Sequence, residues 1–402
     1  MLQILSTLRR HRSASTLIVL EIALTCAIVC NAIFMIRERL ARMDQPSGVA
    51  EAELIRVQVA GIGEPSNADS ITQQDLAALR ALPGVKAVTT INWVPFGSSA
   101  WNTTIATTFD PTDAPSTAMY LGRDLIATLG VHLIAGRDFS PDEYNPVESA
   151  LQHRTTPPRQ VIVTKALADH LYPGGALGKP VYTSSHREPL TVVGIIDTLA
   201  RPNNGGGGPG IAGYAALLPV TVSYTNGSYL VRVDPSQRDG VIRGIDAALT
   251  KVDPNRLTET MTFGQIRADH FRNDRSMAWL LGGVLLALLV ITALGVVGLA
   301  SFWVQQRTRQ IGVRRALGAT RGDILRYFQV ENFILATIGI AIGMAMAFGL
   351  NLVLMHAYEI PRLPGSYLPV GAAILWLLGQ IAVLGPALRA SLIPPAVATR
   401  TV

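Results

Sequence analysis

The sequence predicts a membrane protein: four transmembrane α-helices, with a large mixed α+β domain inserted between helices 1 and 2 on the far side of the bilayer from the cytoplasm. Three observations predict it. Four apolar runs, at 16–36, 277–304, 332–355 and 367–386, are long enough to cross about 30 Å of hydrocarbon. Roughly 230 residues of alternating strand and helix signals, enough for one or two compact domains, separate the first run from the second. Arginines gather at the ends of the runs in a chain that is 49% hydrophobic and only 15% charged, with mean hydropathy +0.32.

Residues 1–14 place Leu2, Ile4, Leu5 and Leu8 before Arg9, Arg10 and Arg12, the pattern of a short amphipathic interfacial helix. A basic stretch before an apolar run also opens a signal peptide. This run exceeds the usual h-region of about 7–15 residues, however, and no small-x-small site follows Ile36, so it reads as an uncleaved anchor. Cys26 and Cys30 lie one helical turn apart inside it and read as small packing residues rather than as acylated or metal-binding ones. The exported domain contains no cysteine and so no disulfide framework.

In the exported domain, 44–276, strand signals stand at 54–59, 85–91, 160–163, 190–196 and 229–233, and helical spacing at 72–82, 165–172 and 236–251. The run Gly205–Gly210 cannot hold regular structure and reads as a mobile surface loop in preference to a hinge. Catalytic sets are absent: there is no HExxH, no GxSxG, and the seven histidines show no ligand spacing. Gly174-Gly-Ala-Leu-Gly-Lys179 resembles a phosphate loop only superficially. Pro173 occupies the first glycine position and Pro180 the place of the magnesium-binding hydroxyl, so a turn is the better reading.

The second run carries no charge between Arg275 and Arg307 and extends roughly 40 Å if helical, long enough to continue as a stalk beyond the bilayer core. Segment 305–330 then sets six arginines, Arg307, Arg309, Arg314, Arg315, Arg321 and Arg326, against the single acid Asp323. In the third span Gly339-x-x-x-Gly343-x-x-x-Ala347 forms a smooth face for close helix packing, and Gly295 and Gly298 offer something similar in the second. Glu21 and Glu331, in and beside the spans, read as partners of nearby arginines rather than as a proton relay. A loop at 356–366 and a tail at 387–402 complete the chain.

Segments 1–14, 305–330 and 386–402 together carry +10 of a net +6, which leaves −4 for everything else. A basic pI of 9.5 therefore comes from short segments beside the spans, not from the folded domain, and nucleic acid is not the implied partner. Arginine-rich loops beside spans stay in the cytoplasm. That places the N-terminus inside, 44–276 outside, 305–330 inside, 356–366 outside and the C-terminus inside; membrane lipid is the immediate surroundings.

The stretch Arg309-Gln-Ile-Gly-Val-Arg-Arg-Ala-Leu-Gly-Ala319, followed by Asp323-Ile-Leu and by Glu331, resembles the signature of the FtsX/MacB-type permeases of ABC transporters. That family usually reads R-E-I-G-I-R-R-A-L-G-A with a Glu opening the next span; Gln310 stands here in place of the first Glu. Gly136-Arg-Asp-Phe139, Val161–Ala168, Leu177-Gly-Lys179 and Leu190–Gly194 fall in the order of the family's periplasmic core domain, and residues 197–228 match least. The resemblance implies a non-catalytic membrane subunit without cofactor or metal, in a bacterial inner membrane. It implies a second permease chain, in a homo- or heterodimer, and a separate cytoplasmic ABC ATPase. Segment 305–330 would dock in that ATPase through Ile311, Gly312, Arg314, Arg315, Ala316, Gly318 and Ala319, the small residues permitting close approach and the arginines adding charge. Such machines act as mechanical transmitters. The exported domain's size favours efflux of an antibiotic, peptide or lipoprotein, with a membrane-fusion protein and outer-membrane channel. The other class is an FtsX-like regulator of a periplasmic cell-wall enzyme.

Overall fold

The computed structural model describes residues 12–61, 67–109, 114–146, 158–184, 186–203, 211–223, 226–358 and 362–392. The amphipathic segment before Arg12, the Gly205–Gly210 run and the tail beyond 392 lie outside the described residues. The chain divides into two compact units. One is Gln45–Arg272, and the other joins Met1–Asp44 to Asn273–Val402.

The first unit holds two sheets. Strands β1 (Leu54–Gly61), β2 (Val85–Ile91), β12 (Asn226–Val233) and β13 (Arg256–Thr262) form an antiparallel sheet in the order β13-β1-β12-β2. Helix α2 (Ala68–Arg80) connects β1 to β2, and α5 (Arg238–Thr250) connects β12 to β13. This is a β-α-β-β-α-β arrangement. Its core follows directly from periodicity: Ile55, Val57 and Val59 alternate on β1, Tyr229, Val231 and Val233 on β12, and Val241, Ile245 and Leu249 recur every fourth residue on α5. Beneath them Arg256 forks onto Asp75, which also accepts from the Tyr229 hydroxyl at 2.7 Å.

Everything between β2 and β12 is one large insertion. It contains β3 (Trp101–Ala106), β4 (Ser116–Leu121), α3 (Leu125–Leu129), β5 (Leu133–Gly136), the short pair β6 (Asn145–Pro146) and β11 (Val220–Thr221), β7 (Gln160–Thr164), α4 (Lys165–Leu171), β8 (Pro180–Thr183), β9 (His186–Ile196) and β10 (Ala215–Leu218). Its main sheet runs β5-β9-β7-β10-β4-β3-β8. A further pairing of β8 with β9 closes six of these strands into a ring filled by Ile105, Val161, Val163, Val181, Val192 and Ala216. The Gly136-Arg-Asp-Phe139 stretch is the exit from β5. Gly136 sits at φ +79° with no room for a Cβ beside the Val193 carbonyl, and Arg137 reaches forward to both oxygens of Glu143. Gly174–Lys179 is a turn, with Gly175 and Gly178 at positive φ and the Lys179 ammonium 4.6 Å from the Tyr172 ring centre.

The unit's two chain ends are tied together. Arg267 on α6 (Phe263–His270) donates to the Gln45 carbonyl at 2.8 Å and pairs with Glu51. Its guanidinium also lies 4.9 Å from the ring centre of Phe96, a residue held at φ +60° between Phe263 and Phe271.

The second unit contains α1 (Arg12–Met43), α7 (Arg272–Gln306), the short α8 (Thr308–Ala316), α9 (Arg321–Tyr358) and α10 (Tyr367–Ser391). Four of these are long and apolar enough to cross a membrane. Each outruns its apolar stretch, because a helix continues into polar sequence until its ends are capped. The 35 residues of α7 extend about 52 Å. Small residues seat α9 on α1. A Cβ at Gly339 would meet Ile22, one at Gly343 would fall 2.5 Å from the Cys26 Cβ, and Ala347 is fully buried. Asn31 donates to the carbonyls of Ala27 and, across the interface, Ala347. The cysteines pack as expected of small side chains, Cys26 against Gly343 and Cys30 against Gly371 of α10.

Two expectations are corrected. Glu21 makes no ion pair among the described residues: its carboxylate lies against Gly295 of α7, and Gly295 is small to admit that carboxylate. Gly298 has no atom within 4 Å of its missing Cβ and seats nothing.

Candidate functional site

Segment 305–330, expected as a loop with one short helix, is helical over most of its length. Helix α8 ends at an αL cap. Gly318, at φ +99°, donates to the Arg315 carbonyl and Ala319 to that of Arg314, the pair of bonds that closes a Schellman motif. Then Thr320 starts α9: its hydroxyl accepts from the Asp323 N–H, and the Asp323 carboxylate accepts from the Thr320 N–H at 3.0 Å. Two turns thus separate α7, α8 and α9, and both are specified locally.

The elbow between α7 and α8 is locked from within. Arg307 sits between the helices and is buried together with Glu331 of α9, its Nη1 donating to both carboxylate oxygens at 3.0 and 2.9 Å. The Trp303 ring lies 5.6 Å from the guanidinium. Ile311, only 5% exposed, packs from α8 into an apolar cluster with Val304 of α7, Ile324 and Phe328 of α9, and Val383 and Ala387 of α10. Gly312 is buried beside it.

The seven residues predicted to couple therefore divide into two groups. Ile311, Gly312 and the half-buried Ala319 face the chain's own core. Arg315 is turned inward and donates to the Ser391 carbonyl at the end of α10, at 3.1 Å. Arg314 lies back over Tyr327, 4.8 Å from the ring centre. Gly318 serves as a cap, and of the seven only Ala316 stands on the outer face. Sequence reasoning missed the two residues that protrude there: Val313, 45% exposed, and Leu317, 83% exposed. With Arg309 and Ala316 they occupy one side of the helix, at the i, i+4 and i+3 spacings that share a face. The signal that marks them is the helical phase, since Ile311 pointing inward obliges Val313 and Leu317 to point out.

The MacB-like periplasmic core domain family matches residues 15–253, and the FtsX-like permease C-terminal family matches residues 282–395. A macrolide export ATP-binding/permease protein MacB of Chromobacterium violaceum is 26% identical over 250 residues, covering 60% of this chain and 36% of that protein. The MacB of Agrobacterium fabrum is 28% identical over 271 residues, covering 65% and 36%. An uncharacterized ABC transporter permease, YvrN, of Bacillus subtilis is 25% identical over 374 residues, covering 89% of this chain and 84% of that one. The chain thus spans little more than a third of the length of these macrolide export relatives but most of the length of YvrN. With four membrane helices, an α+β domain between the first two, and family matches that together cover most of its length, the chain belongs to the MacB/FtsX-like family of ABC transporter permeases.

Proposed function

We propose that this chain is a permease subunit of the mechanotransmission type, which couples ATP hydrolysis by a separate cytoplasmic ABC ATPase to movement of the domain 44–276. Both termini and the 305–330 segment lie in the cytoplasm, as the arginine distribution requires. Two such chains pair across the membrane. ATP-driven closure of their ATPases displaces the helices and carries the exported domains with them, expelling cargo drawn from the periplasm or outer leaflet. An antibiotic, peptide or lipoprotein is the cargo class, and a membrane-fusion protein and outer-membrane channel receive it.

The outer face of α8 carries this reading. A leucine and a valine stand exposed beside Arg309 on a short helix that Ile311, Arg315 and the Arg307–Glu331 pair brace from behind. Such a face transmits force as well as binding energy. Burial of Leu317 and Val313 in a partner groove contributes about 1.5–3 kcal/mol each. Among the described residues Gly174–Lys179 is a turn, with Gly175 and Gly178 at positive φ, and is not a phosphate loop.

The test is affinity capture of the tagged chain from detergent-solubilised native membranes, with mass spectrometry. Wild type recovers an ABC ATPase, and Leu317→Asp loses it while the protein still inserts. Arg315→Glu, at a side chain that faces inward, loses less. Capture of no ATPase by wild type overturns the proposal. An ATPase recovered with a cell-wall hydrolase instead of a membrane-fusion protein replaces export with regulation.

A further inference from the structure

Between α8 and the first turns of α9 lies a shallow, open cleft. Its floor is apolar: Ile311, Ile324 and Phe328. Its rim is polar: Gln310, Arg314 and Tyr327. Arg307 closes the back, where Glu331 already neutralises it. The rim has no such compensation. Among the described residues no acid pairs with Arg314, and neither the Gln310 amide nor the Tyr327 hydroxyl has a hydrogen-bond partner. No carboxylate lines the cleft. The Arg314 guanidinium is held in place by the Tyr327 ring rather than left to swing in solvent.

We propose that this cleft binds the phosphate group of an anionic phospholipid. Three donors converge without acceptors of their own, and a phosphodiester presents the acceptor oxygens and the negative charge that an arginine fork and two neutral donors recognise. The floor of Ile311, Ile324 and Phe328 is already packed, so the phosphate sits at the rim and the acyl chains remain in the adjoining bilayer. The cleft stands at the right depth: Arg307 directly follows the uncharged run 276–306, and Tyr327 precedes the apolar run at 332 by about one turn. Anionic headgroups concentrate basic segments at this level. The site lies on the flank of α8, off the outer face formed by Arg309, Val313, Ala316 and Leu317, so lipid and protein partner do not compete for the same residues. The proposal does not depend on the ATPase reading.

The experiment is native mass spectrometry of the full-length chain in detergent, titrated separately with dioleoylphosphatidylglycerol, dioleoylphosphatidylcholine and inorganic phosphate. Phosphatidylglycerol is retained selectively by wild type. Arg314→Gln weakens retention about tenfold or more, the size of one lost charge-assisted hydrogen bond. Tyr327→Phe, which keeps the ring beneath Arg314, weakens it less. Arg321→Gln, an equal change of charge outside the cleft, leaves it unchanged. Equal retention by Arg314→Gln and wild type overturns the proposal, as does equal retention of phosphatidylcholine. Displacement of the lipid by inorganic phosphate overturns the lipid assignment. Intact lipid retention in Arg314→Gln with loss of the captured ATPase assigns the cleft to the protein partner and overturns the proposal.

Discussion

Each unit of the molecule buries one ion pair among its described residues, and the two are held differently. In the exported unit Arg256 meets Asp75 as a fork, Nη1 on one oxygen and Nη2 on the other. Tyr229 adds a third bond to the carboxylate, and the Leu249 carbonyl takes another from the guanidinium. The two side chains are 4% and 0% exposed. In the membrane unit a single nitrogen of Arg307 bridges both oxygens of Glu331, with 7% and 2% exposure and an aromatic face nearby. A fork fixes direction as well as distance. The first pair clamps two helices to a sheet, whereas the second locks the elbow between α7 and α8 onto α9.

This comparison is broken most severely by removing one partner of the fork. Asp75→Ala strands Arg256 in the core and costs about 3–5 kcal/mol, read as a lowered unfolding temperature of the full chain in detergent. Glu331→Ala costs less, about 1.5–3 kcal/mol, because Trp303 still faces the Arg307 guanidinium. A larger loss for Glu331 than for Asp75 contradicts the distinction. The paired change Arg307→Met with Glu331→Leu restores stability to within about 1 kcal/mol, since it strands no charge.

Next in size is the helix seam. Gly343→Val drives its first carbon toward Cys26 and the Ala23 carbonyl, 2.5 and 2.6 Å away, and costs about 1–3 kcal/mol in detergent-denaturation titrations. Gly298→Val, into open space, is close to neutral by the same measure. The smallest effect belongs to the surface pair Arg137–Glu143. The Arg137 guanidinium, and then the Ser140 N–H, hold the Glu143 carboxyl below its usual value of 4.5. A carboxyl depressed in the folded state contributes stability above the unfolded value and loses it as pH falls through the folded one. The turn 141–143 therefore loosens only below about pH 4.5, by under about 1 kcal/mol for a partly exposed pair, and a lower protection of the Glu143 amide relative to its intrinsic exchange rate reports it.

How much of this was legible depends on the element. The spans were, because a run of uncharged residues in water has few alternatives to crossing a bilayer. Their ends were not, since Thr320 and Asp323 convert ten residues of apparent loop into the start of α9. Strand β1 announces itself by alternation, and β7 by its run of β-branched Val161, Ile162 and Val163. Strand β13 does not: its Leu257 points to solvent, and the segment pairs because β1 offers it an edge. At the candidate site the signature located the short helix α8, but not which way each of its side chains turns. Arg315 reads from the sequence as a contact for another protein, and the fold adds a bond from it to the end of α10.

The sequence by itself determined what is one-dimensional here: the four apolar lengths, the clustering of arginines beside them, and the glycines that seat α9 on α1. Each is a property of composition or of spacing along one element, and neither depends on what lies across from it. Only the tertiary structure decided which side of α8 faces out, that Glu331 takes Arg307 while Glu21 takes none of the arginines described, and that Gln310, Arg314 and Tyr327 surround one cleft. Those outcomes rest on the phase at which a nine-residue helix meets its neighbours. A single buried isoleucine set that phase, by the free energy of removing it from water.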